Sequence, residues 1–344
     1  MKRIVNICGY KYRSIEENWT KIIDTTIQSF LDLGFDVRIS RYLKFEDDTW
    51  NHLSRGIDDS PENIFVYNHS WVSDVKQQEI YRGSKTIFLK PTGPTKNHFT
   101  LDPHGYASCS SISFNKPDFE GVSSDDFFSS EVSSIIKNKQ NKWSGVKSKR
   151  NLKFDGAVTD IPLNHILVVC QMEGDETVNN MSFGSHLRKV ERIVNHLIDS
   201  RCRHPIVVKF PPWYNDGDSN ILSSVIPYWK SKGVVVFEGR ENIHDFLPFT
   251  RVAIIENSTA GIECIMHDVP IISYGAPEYR WITKDLRCLT NLNLYIDNLD
   301  WFDRNKSRSW ITWYCKNYQC YDLKSTKNRI QEILDVCNYK CKRV

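Results

Sequence analysis

"RVAIIENSTAGIECIMHDVPIISYG", residues 251–275, decides the fold. The run "VAII" has the composition of a buried strand and breaks at Glu256-Asn257. Ser258 and Thr259 are helix-capping residues, "AGIECIMH" reads as a short helix, and "VPIISYG" resumes an apolar strand. Strand, helix and strand in so short a span make a parallel crossover unit. The same grammar runs through the residues before it: "HILVVCQ", a helix through "SHLRKVERIVNHLIDS", "PIVVKF", a helix near "SNILSSVIPYWKSKG", then "VVVFEG". Short Val/Ile-rich strands, apolar on both faces and alternating with helices, are what a parallel sheet covered by helices on both sides demands.

Further upstream the pattern occurs a second time. "RIVNICGY" is a strand, and Trp19, Ile22, Ile23, Ile27, Phe30 and Leu31 recur at helical spacing, with Gly34 placed where a helix C-cap belongs. "DVRISRY", "NIFVYNHSW" and "KTIFLKPTG" continue the strand signal. Residues 1–115 therefore read as one α/β domain with a mostly parallel sheet, and 161–344 as a second, whose terminal helix around "STKNRIQEILDVC" packs back. Residues 116–160, rich in Ser and Lys and without a strand pattern, read as a connecting region. Its basic part, Lys137 to Lys153, reads as a solvated surface, with contact to an anionic membrane as the sharper option.

With 344 residues, 40% hydrophobic and 12% aromatic, the chain can fill two cores. A net charge of +3 is too small at this length for the basic field that nucleic-acid binding requires. The apolar run in "MKRIVNICGY" is too short for a signal peptide or a membrane span, so a cytosolic protein beginning near Met1 is expected. The ten cysteines are scattered and read as reduced thiols. Cys315, Cys320, Cys337 and Cys341 lack the usual two-residue zinc spacing, and no Asp-x-Asp pair stands at a strand end, so no metal is expected.

In open α/β sheets ligands sit beyond the carboxyl ends of the strands, which confines the search for chemistry to a few loops. After "HILVVC" come Gln171, Glu173, Asp175 and Glu176; a carboxylate there can act as base or nucleophile, or can simply cap the next segment. Lys209 ends "PIVVK", and Pro211 and Pro212 stiffen an exit that presents Trp213 and Tyr214. Glu238 ends "VVVFEG" and is suited to a ribose or base edge. Asn257, Ser258, Thr259, Ala260 and Gly261 bring hydroxyls and unpartnered amides to a helix start, which reads as a phosphate cradle or as an ordinary cap.

"ENSTAGIECIMHDVPIISYGAPEYR" resembles the donor-phosphate segment of bacterial capsule polysaccharide biosynthesis proteins, specifically β-Kdo glycosyltransferases. "QMEGDETV" resembles the carboxylate loop opening their second domain, and "KPTGPTKNHFTLDPHGYASCSSISF" their first-domain signature. The resemblance implies an α/β fold of two Rossmann-like domains in a GT-B-like architecture, with 1–115 on the acceptor side and 161–344 binding a sugar nucleotide. It implies that Ser258 and Thr259 hold the donor phosphate, that Asp175 or Glu173 works at the anomeric carbon, and that Gly93, His98, Asp102 and Tyr106 line a cleft. The nucleotide sugar would be a substrate, no separate cofactor being implied, and the acceptor a glycan or glycolipid. Where relatives carry Lys-x-His-Pro, this chain reads Lys209-Phe210-Pro211-Pro212, so the imidazole that would face the nucleotide phosphate is missing. Lys209, Arg240 and Lys90 are the cations available to replace it.

Overall fold

A computed structural model describes residues 4–9, 17–44, 50–52, 63–68, 85–141, 161–173, 175–179, 181–211, 216–237 and 241–341. The chain divides into two compact units: Met1–Phe114, Asn141–Val146 and Trp313–Val344 form one, Asn115–Gln140 and Lys147–Thr312 the other.

The first unit begins with β1 (Ile4–Gly9), α1 (Glu17–Asp32), β2 (Asp36–Lys44), β3 (Trp50–His52), β4 (Ile64–Asn68), β5 (Lys85–Pro91) and β6 (Phe99–Asp102). α1 buries Ile22, Ile23 and Phe30 on one face, while Leu31 at 46% exposure looks outward. It stops where a glycine is needed: Gly34 takes φ +81°, and the Phe35 N–H closes back on the Phe30 carbonyl at 3.0 Å. β2, β1, β4 and β5 pair in parallel, whereas β3 and β6 join antiparallel at either side.

The second unit holds β7 (His165–Val169), α2 (His186–Asp199), β8 (Ile206–Lys209), α3 (Asp216–Ser231), β9 (Val235–Phe237), β10 (Thr250–Ile255), α4 (Ala260–Met266), β11 (Ile271–Ser273), β12 (Lys284–Asp285) and α5 (Arg304–Trp313). Its sheet is parallel throughout, in the order β12-β11-β10-β7-β8-β9. The chain thus winds from β7 through β8 to β9, then returns to β10 and winds the other way. β7 and β10, neighbours in space, mark the switch point where such sheets open a crevice. α2 packs Leu187, Val190, Ile193, Val194 and Leu197 against one face of the sheet, with Ser185 accepting the Arg188 N–H as its cap.

The Ser-rich stretch read as connecting region is helical over Asp125–Lys137, with a π turn at Phe128–Val132, and buries Phe127, Val132 and Ile135 within the second unit. Residues 142–160, which carry most of the basic stretch, lie outside the described residues. Near its end the chain returns to the first unit. β13 (Gln319–Cys320) pairs antiparallel with β6, and α6 (Leu323–Cys341) gives Ile330, Ile333 and Leu334 to that unit's core. Cys315 and Cys320 are buried thiols, Cys320 pushed up to about 12 by burial. Among the described residues no three His, Cys, Asp or Glu side chains gather as metal ligands, and no helix is long and apolar enough to cross a membrane.

Candidate functional site

At the carboxyl edge of the second sheet, side chains tie the strand ends together. Glu256, directly after β10, is fully buried, which alone would disfavour its charge. Hydrogen bonds from His186, Lys189 and Ser182 outweigh that cost and hold its carboxyl below the ordinary carboxylate range. The Gln171 N–H donates to His186 Nε2 at 2.8 Å, so Nε2 is the bare nitrogen and Nδ1 carries the proton given to Glu256. The Tyr274 ring stacks on this imidazole, with centroids 6.3 Å apart.

The belt continues across the switch point. Gln171 Oε1 accepts the Asn257 N–H at 2.8 Å, Asn257 Nδ2 donates to the Thr177 carbonyl at 2.8 Å, and Asn257 Oδ1 accepts the Ala276 N–H at 2.8 Å. The ends of β7, β10 and β11 are thereby fixed to one another. Gly275 makes the approach possible, because a Cβ there would lie 2.5 Å from Asn257 Oδ1 and 2.8 Å from the Glu256 carbonyl oxygen.

The two carboxylates of the first loop are both engaged. Glu173 accepts the His186 N–H at 3.1 Å and the Leu187 N–H at 2.9 Å, capping α2. Asp175 Oδ1 accepts from the N–H and hydroxyl of Thr177 at 2.9 and 2.8 Å, at the start of the short helix Glu176–Asn179. At the start of α4, Ser258 Oγ accepts the Ala260 N–H at 3.2 Å, and Thr259 occupies the cap position without a side-chain cap bond. Gly261 does not face open space: the buried Tyr279 ring fills the place of its side chain, and the Tyr279 hydroxyl donates to the Ser258 carbonyl at 2.5 Å.

Lys209 ends β8. Ile206, Val208 and Phe210 join the core under α2 and α3, so strand alternation turns Val207 and Lys209 to the opposite face. Its ammonium reaches the Phe210 carbonyl at 3.3 Å and lies 6.0 Å from the Phe246 ring centroid. Burial lowers its pKa, against the attraction of Glu241 and the Cys170 sulfur. Glu238, Arg240, Pro212, Trp213 and Tyr214 lie outside the described residues.

In the first unit, Asp102 is a buried hub. Its carboxylate accepts the N–H groups of His104 at 2.8 Å, Gly105 at 3.2 Å and Ser111 at 3.0 Å, together with the Tyr318 hydroxyl at 2.8 Å. Tyr106 is buried under the Lys90 ammonium, 4.3 Å from its ring centroid. His98 is pushed down to about 4 by burial and lies 2.7 Å from Thr95 Oγ1. Gly93 takes φ +127°, and a Cβ there would fall 2.3 Å from Gln319 Nε2.

The structure therefore brings Gln171, Glu173, Asp175, Lys209 and Asn257–Gly261 to one sheet edge, with Gly93, His98, Asp102 and Tyr106 grouped in the other unit. Sequence reasoning missed His186, Lys189, Ser182 and Tyr279 altogether. The one available signal was Glu256, an acidic residue at the end of an otherwise apolar buried strand.

Residues 122–290 match the family model of capsule polysaccharide biosynthesis proteins. No curated protein sequence matches the chain. Among solved structures, it is similar to two of Thermosulfurimonas dismutans KpsC, a β-Kdo 2,4 transferase and a β-Kdo 2,7 transferase. The β-Kdo 2,4 transferase is 14% identical, covering 96% of this chain and 98% of its own at a TM-score of 0.55. The β-Kdo 2,7 transferase is 13% identical, covering 98% and 100% at 0.52. Likeness at that identity concerns the fold, a mixed α/β architecture with parallel sheets of the GT-B kind. The likeness to capsule polysaccharide biosynthesis proteins thus lies in residues 122–290, just under half of the chain.

Proposed function

We propose that this protein is a glycosyltransferase of surface polysaccharide synthesis, binding an activated sugar at the carboxyl edge of its second sheet and transferring it to a glycan or glycolipid. The observation that carries the reading is the edge itself. A parallel sheet with its switch point between β7 and β10 has its strand ends cross-braced by Gln171 and Asn257, with hydroxyls of Ser258 and Thr259 and the Lys209 ammonium at the same edge. The match of residues 122–290 to the capsule family model and the fold shared with β-Kdo transferases support it.

A CMP-linked Kdo-like sugar is the first choice of donor, and a UDP- or GDP-sugar the alternative. Bond cleavage would pass through an oxocarbenium-like state, with Asp175 or Glu173 near the anomeric carbon and the leaving phosphate held at the edge. No metal enters the proposal. Gly93, His98, Asp102 and Tyr106 would serve the acceptor side, with the enzyme acting in the cytoplasm or at the inner face of the membrane.

A second reading, a nucleotide-binding protein without turnover, is favoured by one observation: both oxygens of Glu173 and one of Asp175 are already committed to backbone and hydroxyl donors. A thermal-shift panel of CMP, UDP, GDP and their sugars tests binding, since a ligand at 100-fold its Kd stabilises by about 2.7 kcal/mol. No shift with any of them would refute both readings. Sugar transfer to capsule-type acceptors that disappears in Asp175→Ala or Glu173→Ala would exclude the silent one. A sugar nucleotide epimerised without acceptor would instead make the chain an epimerase.

A further inference from the structure

Two lysines stand at the carboxyl edge of the second sheet, and their situations differ. Lys189 is matched: its ammonium bonds to Glu256 and to Ser182 Oγ, and its side chain keeps 23% exposure. Lys209 is 8% exposed and, among the described residues, has one acceptor, the Phe210 carbonyl at a long 3.3 Å, and no ion pair. Glu241 attracts it only through space, and its other neighbours, the Phe246 ring and the buried Cys170 thiol, offer an ammonium little.

An ammonium has three donors, and burying it with one weak acceptor is costly. A protein gains nothing in stability from such a residue, and an apolar side chain of similar volume would serve the free fold better. The position is specific as well. Lys209 is the last residue of β8, next to the switch-point strand β7, and the Cys170 N–H bonds to its carbonyl at 2.9 Å. A side chain carried there on a rigid strand is fixed at the edge where ligands enter such sheets.

We propose that Lys209 is the anion anchor of this edge, a cation with one long hydrogen bond and no ion pair among the described residues, whose coordination a phosphate oxyanion of the ligand completes. The inference rests on the nucleotide reading of the second unit and narrows it. The ligand must present phosphate to β8, and binding must draw a proton onto the lysine whenever its lowered pKa leaves part of it neutral.

Calorimetric titration of cytidine, CMP, uridine and UDP into the wild type, Lys209→Met and Lys209→Arg tests this. In the wild type the nucleotide should bind more tightly than its nucleoside. Lys209→Met should shrink that advantage roughly 10- to 100-fold, the worth of a charge-assisted hydrogen bond. Nucleoside affinity should stay unchanged, and the ligand-free melting temperature should be equal or higher, which a merely structural lysine would not give. Lys209→Arg should retain part of the phosphate preference. Should Lys209→Met fail to fold, the wild type still decides: at about pH 9.5, near the lysine titration range, nucleotide binding must take up protons, read from heats in two buffers. Nucleotide binding with no proton uptake, or a phosphate preference intact in Lys209→Met, overturns the assignment and leaves the nucleotide reading standing. No binding of any nucleotide or nucleoside to the wild type overturns both.

Discussion

Gly261→Ala separates two explanations of a small residue beside a candidate ligand site. If the glycine lets a ligand approach the helix, alanine should weaken ligand binding and, being a better helix former, stabilise the free protein by about 0.5–1 kcal/mol. The geometry argues otherwise. A Cβ at Gly261 would lie 2.1 Å from Tyr279 Cζ and 2.3 Å from its hydroxyl oxygen. That ring cannot retreat cheaply, being 2% exposed, edge-on to Trp310 at 6.1 Å, and bonded to the Ser258 carbonyl. Overpacking of this kind costs roughly 1–3 kcal/mol. Taking the upper end for a ring held on both sides and subtracting the helix gain leaves a net loss of about 2 kcal/mol. Removing the ring reverses the sign: Tyr279→Ala alone should cost about 3–5 kcal/mol, and adding Gly261→Ala to it should recover about 0.5–1. The coupling between the sites is then about 3 kcal/mol, measurable by urea denaturation of the four proteins. A stabilised Gly261→Ala, or an equal cost in both backgrounds, would refute the packing argument.

Three further outcomes follow from the geometry. Because Glu256 has a folded pKa below its ordinary 4.5, its contribution to stability is complete above that value and drains as pH falls through the lowered one. Glu256→Gln should therefore lose on the order of 3 kcal/mol near neutrality and show a flatter acid limb of urea midpoint against pH. His267, bonded to His244 at 2.8 Å, is pushed down to about 4 by burial and by that second imidazole, so the unfolded chain protonates first and stability declines from pH 6.5 towards 4; His267→Gln should flatten that interval. Gly93→Ala, at φ +127° and against the Gln319 amide, should destabilise the first unit by about 1–3 kcal/mol, seen as faster hydrogen exchange in β5, β6 and β13.

Central parallel strands such as β7 and β8 were legible because they are Val/Ile runs buried on both faces, as in "HILVV", where every residue is buried. The end of α1 was legible because Gly34 is a local signal with a local cause. β12 and β13, two residues each, have no period to read, and they form only because neighbouring strands offer unpaired edges. The helical stretch at 125–137 was hidden by its serines, whose hydroxyls bond to nearby carbonyls, Ser130 to Asp126 among them, and leave few apolar residues to mark the face. The site divides in the same way. Gln171, Lys209 and Ser258 could be placed because each stands at or within three residues of a strand end. The pairing of His186 with Glu256 could not be read, since the two are 70 positions apart and meet only through the order of strands in the sheet. At Gly261 the group that uses the space left by the missing side chain is Tyr279, 18 positions downstream, which no local pattern announces.

The return of the chain to its first unit also dictates an order of assembly. During synthesis β1 to β6 leave the ribosome long before the residues that complete their sheet and core, because β13 and the α6 residues Ile330, Ile333 and Leu334 are made near the end. Residues 161–312, by contrast, carry the whole parallel sheet of the second unit and its surrounding helices. The downstream unit can consequently close while the upstream one still waits with Phe99 and Leu101 uncovered, the reverse of the usual first-made, first-folded sequence. A chain truncated after residue 318 would hold all of the second unit and lack β13 and α6 of the first.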